Sequence, residues 1–403
     1  MKPTVFAKLS LMMLLEYFIW SSWYVTMSTY MKVNFGASDA QIGLAYGALA
    51  IATMISPLFL GMVADRYFAA QRMTGVLHTL GALLLYFASS VTSNNLFYWI
   101  ILFYSLLYMP TIALTNSIAF HQMTDPGKQF PWIRVFGTIG WIVAGLTVGF
   151  LRLEKTASTF HIAALASFVL GIFSFALPHT PPKGKTSSAV RTDALALLKD
   201  KSYLIFISAA VLVCIPLAFY YGFTNLFLNE LGMENAAGKM ILGQVSEAVF
   251  ILAIPFLFNR IGVKKMLILG MAAWILRYAF FAYGNVGAYA WMLFAGIVLH
   301  GICYDFFFVT GYMYTEKKAD TKIKSAAQGL FTFATYGLGM FIGTWISGWV
   351  VNRYSLETMN SVTGNNDHRW MSIWLIPACI ALAVLIYFIL FFREKKEIKI
   401  AKI

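Results

Sequence analysis

The chain has 403 residues, of which 12% are charged and 17% aromatic, and its mean hydropathy is +0.71. A soluble domain carries about a quarter charged residues, so an ordinary soluble fold is excluded. Apolar runs recur from end to end without the alternation of a transmembrane barrel, which predicts an all-α polytopic membrane protein. The net charge of +13 invites a nucleic-acid reading, but the positions of the basic residues argue against one.

Twelve transmembrane helices are expected near 9–30, 41–63, 73–91, 96–120, 132–151, 159–178, 203–228, 236–258, 266–284, 289–314, 326–350 and 370–392. The first of them holds Glu16 and runs on past Tyr30, so it reads as a span and not as a cleavable signal. With the N-terminus in the cytoplasm, 23 of the 30 Lys and Arg fall on the cytoplasmic side. Lys32, Arg152, Lys155, Lys239, Arg353 and Arg369 fall outside, and Arg277 lies within a span. This bias predicts both termini inside, with the basic residues serving as orientation signals and lipid contacts. The three cysteines sit in apolar spans, and no metal-binding spacing, phosphate loop or nucleophile motif is visible. No cofactor, metal or enzymatic activity is expected.

In span 1, Glu16, Trp20, Trp23 and Tyr24 share a helical face that suits a cavity or partner helices. Span 4 carries Pro110 with Thr111, Thr115 and Asn116 near the expected kink, as substrate groups or as bonds to neighbouring helices. Span 5 places Arg134, Thr138 and Trp141 on one face: a fixed cation, a hydroxyl and a flat ring. An arginine snorkelling from a helix end is the alternative. Residues 179–202 form a polar, proline-containing break that divides the chain. The expected units are a first six-helix bundle, 1–178, the cytoplasmic linker 179–202, a second six-helix bundle, 203–392, and a cytoplasmic tail, 393–403.

Tyr221 and Asn225 share a face in span 7, and Gln244 and Glu247 share one in span 8. An amide and a carboxylate at mid-membrane suit the binding of a polar solute better than a stable core. Arg277, in span 9, is expected to pair between helices. Span 10 carries Asp305 in its middle, next to Tyr304 and on one face with Phe308 and Tyr312. A carboxylate there costs roughly 2.5–3.5 kcal/mol on insertion scales. Span 11 adds Gln328, Thr332 and Tyr336, and the polar loop 351–369 reads as mobile.

Span 2 ends in Gly61, Asp65 and Arg66, followed by Arg72, a G-x-x-x-D-R-x5-R pattern. It resembles the loop of the major facilitator superfamily that latches one conformation, which implies a gating role for Asp65, Arg66 and Arg72. Tyr108-Met-Pro-Thr, IRVFGTIG at 133–140, GQVSE at 243–247, WILRYAFFAYG at 274–284, YDFF at 304–307 and SAAQG at 325–329 resemble the bacterial nucleoside–proton symporters of that superfamily. The resemblance spans most of the chain. It implies two six-helix bundles, a multi-pass monomer in the bacterial inner membrane, nucleosides as substrate and the proton as coupling ion.

By position, the resemblance implies that Arg134, Thr138, Trp141, Gln244, Glu247, Tyr304 and Asp305 contact substrate. Trp141 and Tyr304 stand where the family pattern has phenylalanines, so stacking survives. Span 7 departs from the pattern, with Ala218 and Tyr221 where an amide pair is usual. The expected chemistry has Asp305 and Glu247 alternating between protonated and ionised as the halves rock, with Arg134 approaching in one state. Asp305 is favoured for the proton, Glu247 for ribose, and Glu16 is a third carboxylate for the proton. A carrier for a sugar, a drug exporter, and a receptor or membrane enzyme are the other readings; the last lacks any soluble output domain.

Overall fold

The computed structural model describes residues 1–56, 67–182, 192–320, 323–360 and 366–393. The described chain is overwhelmingly helical. Helices α1 (Pro3–Tyr24), α2 (Met27–Phe35), α3 (Asp39–Ser56), α4 (Ala70–Ser90), α5 (Asn94–His121), α6 (Pro126–Phe150) and α7 (Ser158–Ser174) precede the polar break. After it come α8 (Lys201–Glu230), α9 (Ala236–Ile261), α10 (Val263–Tyr283), α11 (Ala290–Lys318), α12 (Ala326–Arg353) and α13 (Trp370–Phe391). Among the described residues, ten helices are long and apolar enough to cross a membrane, with α1 and α2 counted as one. The expected second span continues from α3 into residues outside the described ones, and the expected sixth falls on the shorter α7.

Local chemistry sets the helix ends. Asp200 accepts hydrogen bonds from the N–H groups of Ser202 (2.8 Å) and Tyr203 (3.1 Å), which caps α8. Asn235 does the same for α9 through Gly238 N–H at 3.2 Å. Two helices are interrupted by wider turns: Asp305–Val309 in α11 and Phe333–Gly339 in α12 are π-helical. Such bulges add a residue to a turn and recur at functional sites.

Within the first part of the chain α1 packs on α6 and α7, and α4 on α5 and α7; within the second, α8 packs on α12 and α13, and α10 on α13. Between the two parts, α3 packs on α12, α6 on α9 and α2 on α8. The α3–α12 approach is so close that a Cβ on Gly43 would lie 2.4 Å from Thr344 O and 2.8 Å from Gly348 Cα. Large apolar side chains face outward along these helices, among them Leu83, Phe103, Leu252 and Trp345. That surface is suited to hydrocarbon and not to water.

The segment expected as a mobile polar loop contains a two-stranded antiparallel hairpin. It joins β1 (Ser355–Met359) and β2 (Asn366–His368), with Ser355 opposite His368. Its last residue, His368, is buried. The burial of one imidazole against three helices holds this end of the hairpin.

Candidate functional site

A narrow pocket lies between α1, α6, α8 and α9, lined in part by Ser21, Trp141, Tyr221 and Gln244. Aromatic rings build its walls. Trp20 packs against Trp141 at 5.5 Å between centroids, and Tyr24 against Tyr221 at 5.7 Å. Ser21 donates to Trp141 O at 2.9 Å and ties α1 to α6. The packing of Gly149 against Gly238 sets α6 and α9 side by side. Arg134 and Glu247 lie on these two helices farther from that contact than Trp141 and Gln244, so both charges sit on the same side of the pocket.

The sequence-derived residues separate into three groups. Trp141, Tyr221 and Gln244 line the pocket from α6, α8 and α9, while Thr138 is half-buried one turn along α6 from Trp141 and Glu247 lies one turn along α9 from Gln244. Arg134 lies with its guanidinium 4.1 Å above the ring of Tyr17, a cation–π contact, and acts electrostatically on Glu247. The Glu247 side chain is 26% exposed, and the His300 Nε2 lies 3.6 Å from its Oε2. Tyr304 bonds hydroxyl to hydroxyl with Tyr336, which links α11 to α12. Asp305 opens the π turn, is wholly buried, and neither carboxylate oxygen has a hydrogen-bond partner among the described residues.

Two expected members lie elsewhere. Glu16 is buried within the first part of the chain, where Oε2 meets His78 Nε2 at 2.9 Å and Oε1 accepts from Thr111 at 2.7 Å. Its own carbonyl accepts from Tyr108 at 2.7 Å. Those bonds occupy the carboxylate away from the pocket, because position 16 faces α4 and α5. Asn225 is buried at the end of the pocket: its Oδ1 accepts from Thr29 at 2.6 Å and its Nδ2 donates to Glu154 at 2.9 Å. The amide is consumed by that network and is not presented to the pocket. Of the expected gate, Asp65 and Arg66 lie outside the described residues, and Arg72 is exposed in the first turn of α4.

One end of the pocket is closed by groups that sequence reasoning missed. Glu154, in the α6–α7 connection, also accepts from Asn229 at 2.8 Å and from the N–H of Ala237, a pocket residue, at 2.9 Å. Beside this lies a second network. Lys32 pairs with Asp39 at 2.7 Å, Asp39 with His368 at 3.1 Å, and His368 with Glu230 at 2.9 Å. Trp370 donates to Glu230 at 2.7 Å. Burial opposes a charge on His368, but hydrogen bonds to Asp39 and Glu230 outweigh it and push the imidazole up to about 9. The one available signal was topological: Lys32, Asp39, Glu154, Asn229, Glu230 and His368 belong to connections predicted to lie on one side of the membrane.

The whole chain has relatives. Residues 3–397 match the family model described as "Nucleoside H+ symporter". The putative nucleoside transporter YegT of Escherichia coli K12 is 44% identical over 98% of this chain and 95% of its own length. The xanthosine permease of the same strain is 33% identical over 97% of this chain and 96% of its own. The crystal structure of the nucleoside transporter NupG superposes with a TM-score of 0.88 at 33% identity, covering 97% of this chain and 100% of that one. A pocket walled by rings between helices of both chain segments, a fold shared along the full length and the whole-chain match agree: this chain is a member of the nucleoside–proton symporter family, with a major facilitator fold.

Proposed function

We propose that the protein carries nucleosides into the bacterial cell together with protons by alternating access. On this reading twelve spans form two six-helix bundles, 1–178 and 203–392, joined by the linker 179–202. Both termini and the tail 393–403 face the cytoplasm, and the chain acts as a monomer among membrane lipids without a bound cofactor. Pocket and closure then belong to one state, in which the far end is sealed by Glu154 and His368.

The observation that carries the reading is the pairing of α6 with α9 across the pocket. Trp141 and Tyr221 supply flat apolar surfaces and Gln244 a donor and acceptor for a base edge. Glu247 and Arg134 lie next to them, with groups that match ribose hydroxyls. A nucleoside is neutral, so the ion that drives its accumulation must be held by the protein. Asp305 is the group we assign to the proton. A buried carboxylate with no donor is costly when ionised and tolerable when neutral, so its occupancy depends on whether the moving halves bring it water or a cation. Binding can drive the transition only through such a difference between states.

Uptake of labelled nucleosides into proteoliposomes with an imposed pH gradient tests this. Wild type should accumulate nucleoside above equilibrium, and Asp305→Asn should abolish accumulation while nucleoside exchange persists. Full accumulation by that variant would remove Asp305 from the coupling role. Competition by sugars or lipophilic cations, but not by nucleosides, would replace the substrate assignment.

A further inference from the structure

Beside Glu247, packed on the pocket residues Tyr220 and Tyr221, lies an imidazole that the transport chemistry above does not use. His300 on α11 is wholly buried, and neither ring nitrogen makes a hydrogen bond among the described residues. Its Nε2 stops 3.6 Å from Glu247 Oε2, a few tenths of an ångström beyond a hydrogen bond. The placement is built into the backbones. A Cβ on Gly243 would lie 3.1 Å from the His300 Cβ, and one on Gly301 would lie 2.6 Å from the Ser246 backbone. Only two glycines at these positions let α9 and α11 approach closely enough for the pair to meet.

The ring is also held from behind. It stacks on Tyr220 at 4.9 Å and 21°, and the Arg277 guanidinium lies 3.8 Å from the Tyr220 ring centroid. Arg277 donates from Nε to Gly296 O at 2.9 Å, and its two terminal nitrogens have no hydrogen-bond partner among the described residues. Among the described residues, the charged and titratable groups facing this pair come from four helices of both parts of the chain and from α11 itself. Glu247 comes from α9, Tyr220 and Tyr221 from α8 and Arg277 from α10; Cys303, Tyr304 and Asp305 share α11 with His300. Across the pocket Arg134 and Tyr17 act on Glu247 from α6 and α1.

Glu247 therefore has two partners of different mechanical kinds. Arg134 belongs to the other part of the chain and separates from Glu247 when the two parts move. His300 belongs to the same part and travels with it. We propose that His300 is a positioning residue that receives the Glu247 carboxylate when Arg134 withdraws, and so sets the pH at which Glu247 gains and loses a proton. This rests on the reading of the chain as a proton-coupled nucleoside carrier. His300 donates the Nε2 hydrogen without transferring it, and the proton that Glu247 gains or loses is exchanged with water in the pocket. Arg277 and Tyr220 fix the ring so that the imidazole needs only a short shift.

The test compares His300→Phe, which fills the ring's place without a donor, with His300→Gln, which keeps an N–H. Exchange of tritiated uridine, or adenosine where uridine is not carried, is followed against pH in proteoliposomes with no gradient. In His300→Phe the midpoint should move alkaline by about one unit, a tenfold change in proton affinity, because ionised Glu247 has lost a donor. His300→Gln should restore most of it. A wild-type midpoint in His300→Phe, or equal displacement in both variants, overturns the proposal. Equal loss of exchange at every pH in both variants also overturns it, since that is what a structural role produces. Infrared titration of the carboxylic-acid C=O band in detergent, assigned with Glu247→Gln, reads the same midpoint without transport. If wild type carries no nucleoside, the function assignment fails, while the band still shifts or does not shift in His300→Phe and decides the His300 question separately.

Discussion

Gln244 and Trp141 meet one pocket from α9 and α6, so their loss should fall on binding and not on folding. Gln244→Ala removes one hydrogen-bonding group, worth about 1 kcal/mol and roughly a fivefold loss of nucleoside affinity. Trp141→Ala removes a stacking face worth about 1–3 kcal/mol, and Trp141→Phe should keep most of it. Titration calorimetry on purified protein checks both; unaltered affinity in either alanine variant would move the site. Glu16 behaves differently. Its bonds to His78 and Thr111 are internal to the first part of the chain, and breaking a buried pair costs about 3–5 kcal/mol. Glu16→Ala should therefore lower the unfolding temperature sharply, whereas Glu16→Gln, still bonded to Thr111, should retain proton-driven accumulation. The polar faces of these helices were legible from spacing alone. Whether a polar face met the pocket or a neighbouring helix was not, since both demand the same residue types.

At the scale of elements, a glycine contact joins α3 of the first part of the chain to α12 of the second. A Cβ at Gly348 would meet Asp39 O at 2.7 Å and Gly43 Cα at 2.9 Å. Overpacking costs about 1–3 kcal/mol, and on the proposed alternating-access cycle it acts only on the state in which these two helices touch. Gly348→Val should raise the alkylation rate of a cysteine introduced by Thr29→Cys by roughly tenfold or more, measured with a membrane-impermeant maleimide. An unchanged rate would show that this contact does not gate the pocket. Ten of the expected spans were readable among the described residues, since runs of apolar residues of bilayer length have few other uses. The π turns at Asp305 and Phe333 were not: the same residues satisfy an α-helix, and the choice depends on how α11 and α12 pack against their neighbours.

For the whole molecule, the clasp of Asp39, His368 and Glu230 ties the helix after the first connection to the last hairpin. A folded-state imidazole pushed up to about 9 binds its proton more tightly than one in an unfolded chain, near about 6.5. The clasp therefore contributes fully below the unfolded value, and its contribution is lost as pH rises through about 9. The gain at low pH is on the order of 3 kcal/mol. Wild type in detergent should lose thermal stability progressively between those pH values, and His368→Gln should be flatter across them. Equal slopes in the two proteins would mean that His368 carries no such linkage.

From its sequence alone the chain was determined to be a helical membrane protein, with its polar break, its costly intramembrane charges and its family resemblance. Those properties follow from composition, spacing and local motifs, which act along the chain. Only tertiary structure decided the partners: Asn225 with Glu154, Glu16 with His78, Asp39 with His368, and His300 beside Glu247. Such pairs lie up to 329 positions apart, and a buried polar group accepts any partner that supplies a donor or acceptor of the right sign. Which one it meets depends on helix rotation and on how closely glycine faces approach, and neither is written in the local pattern of residues.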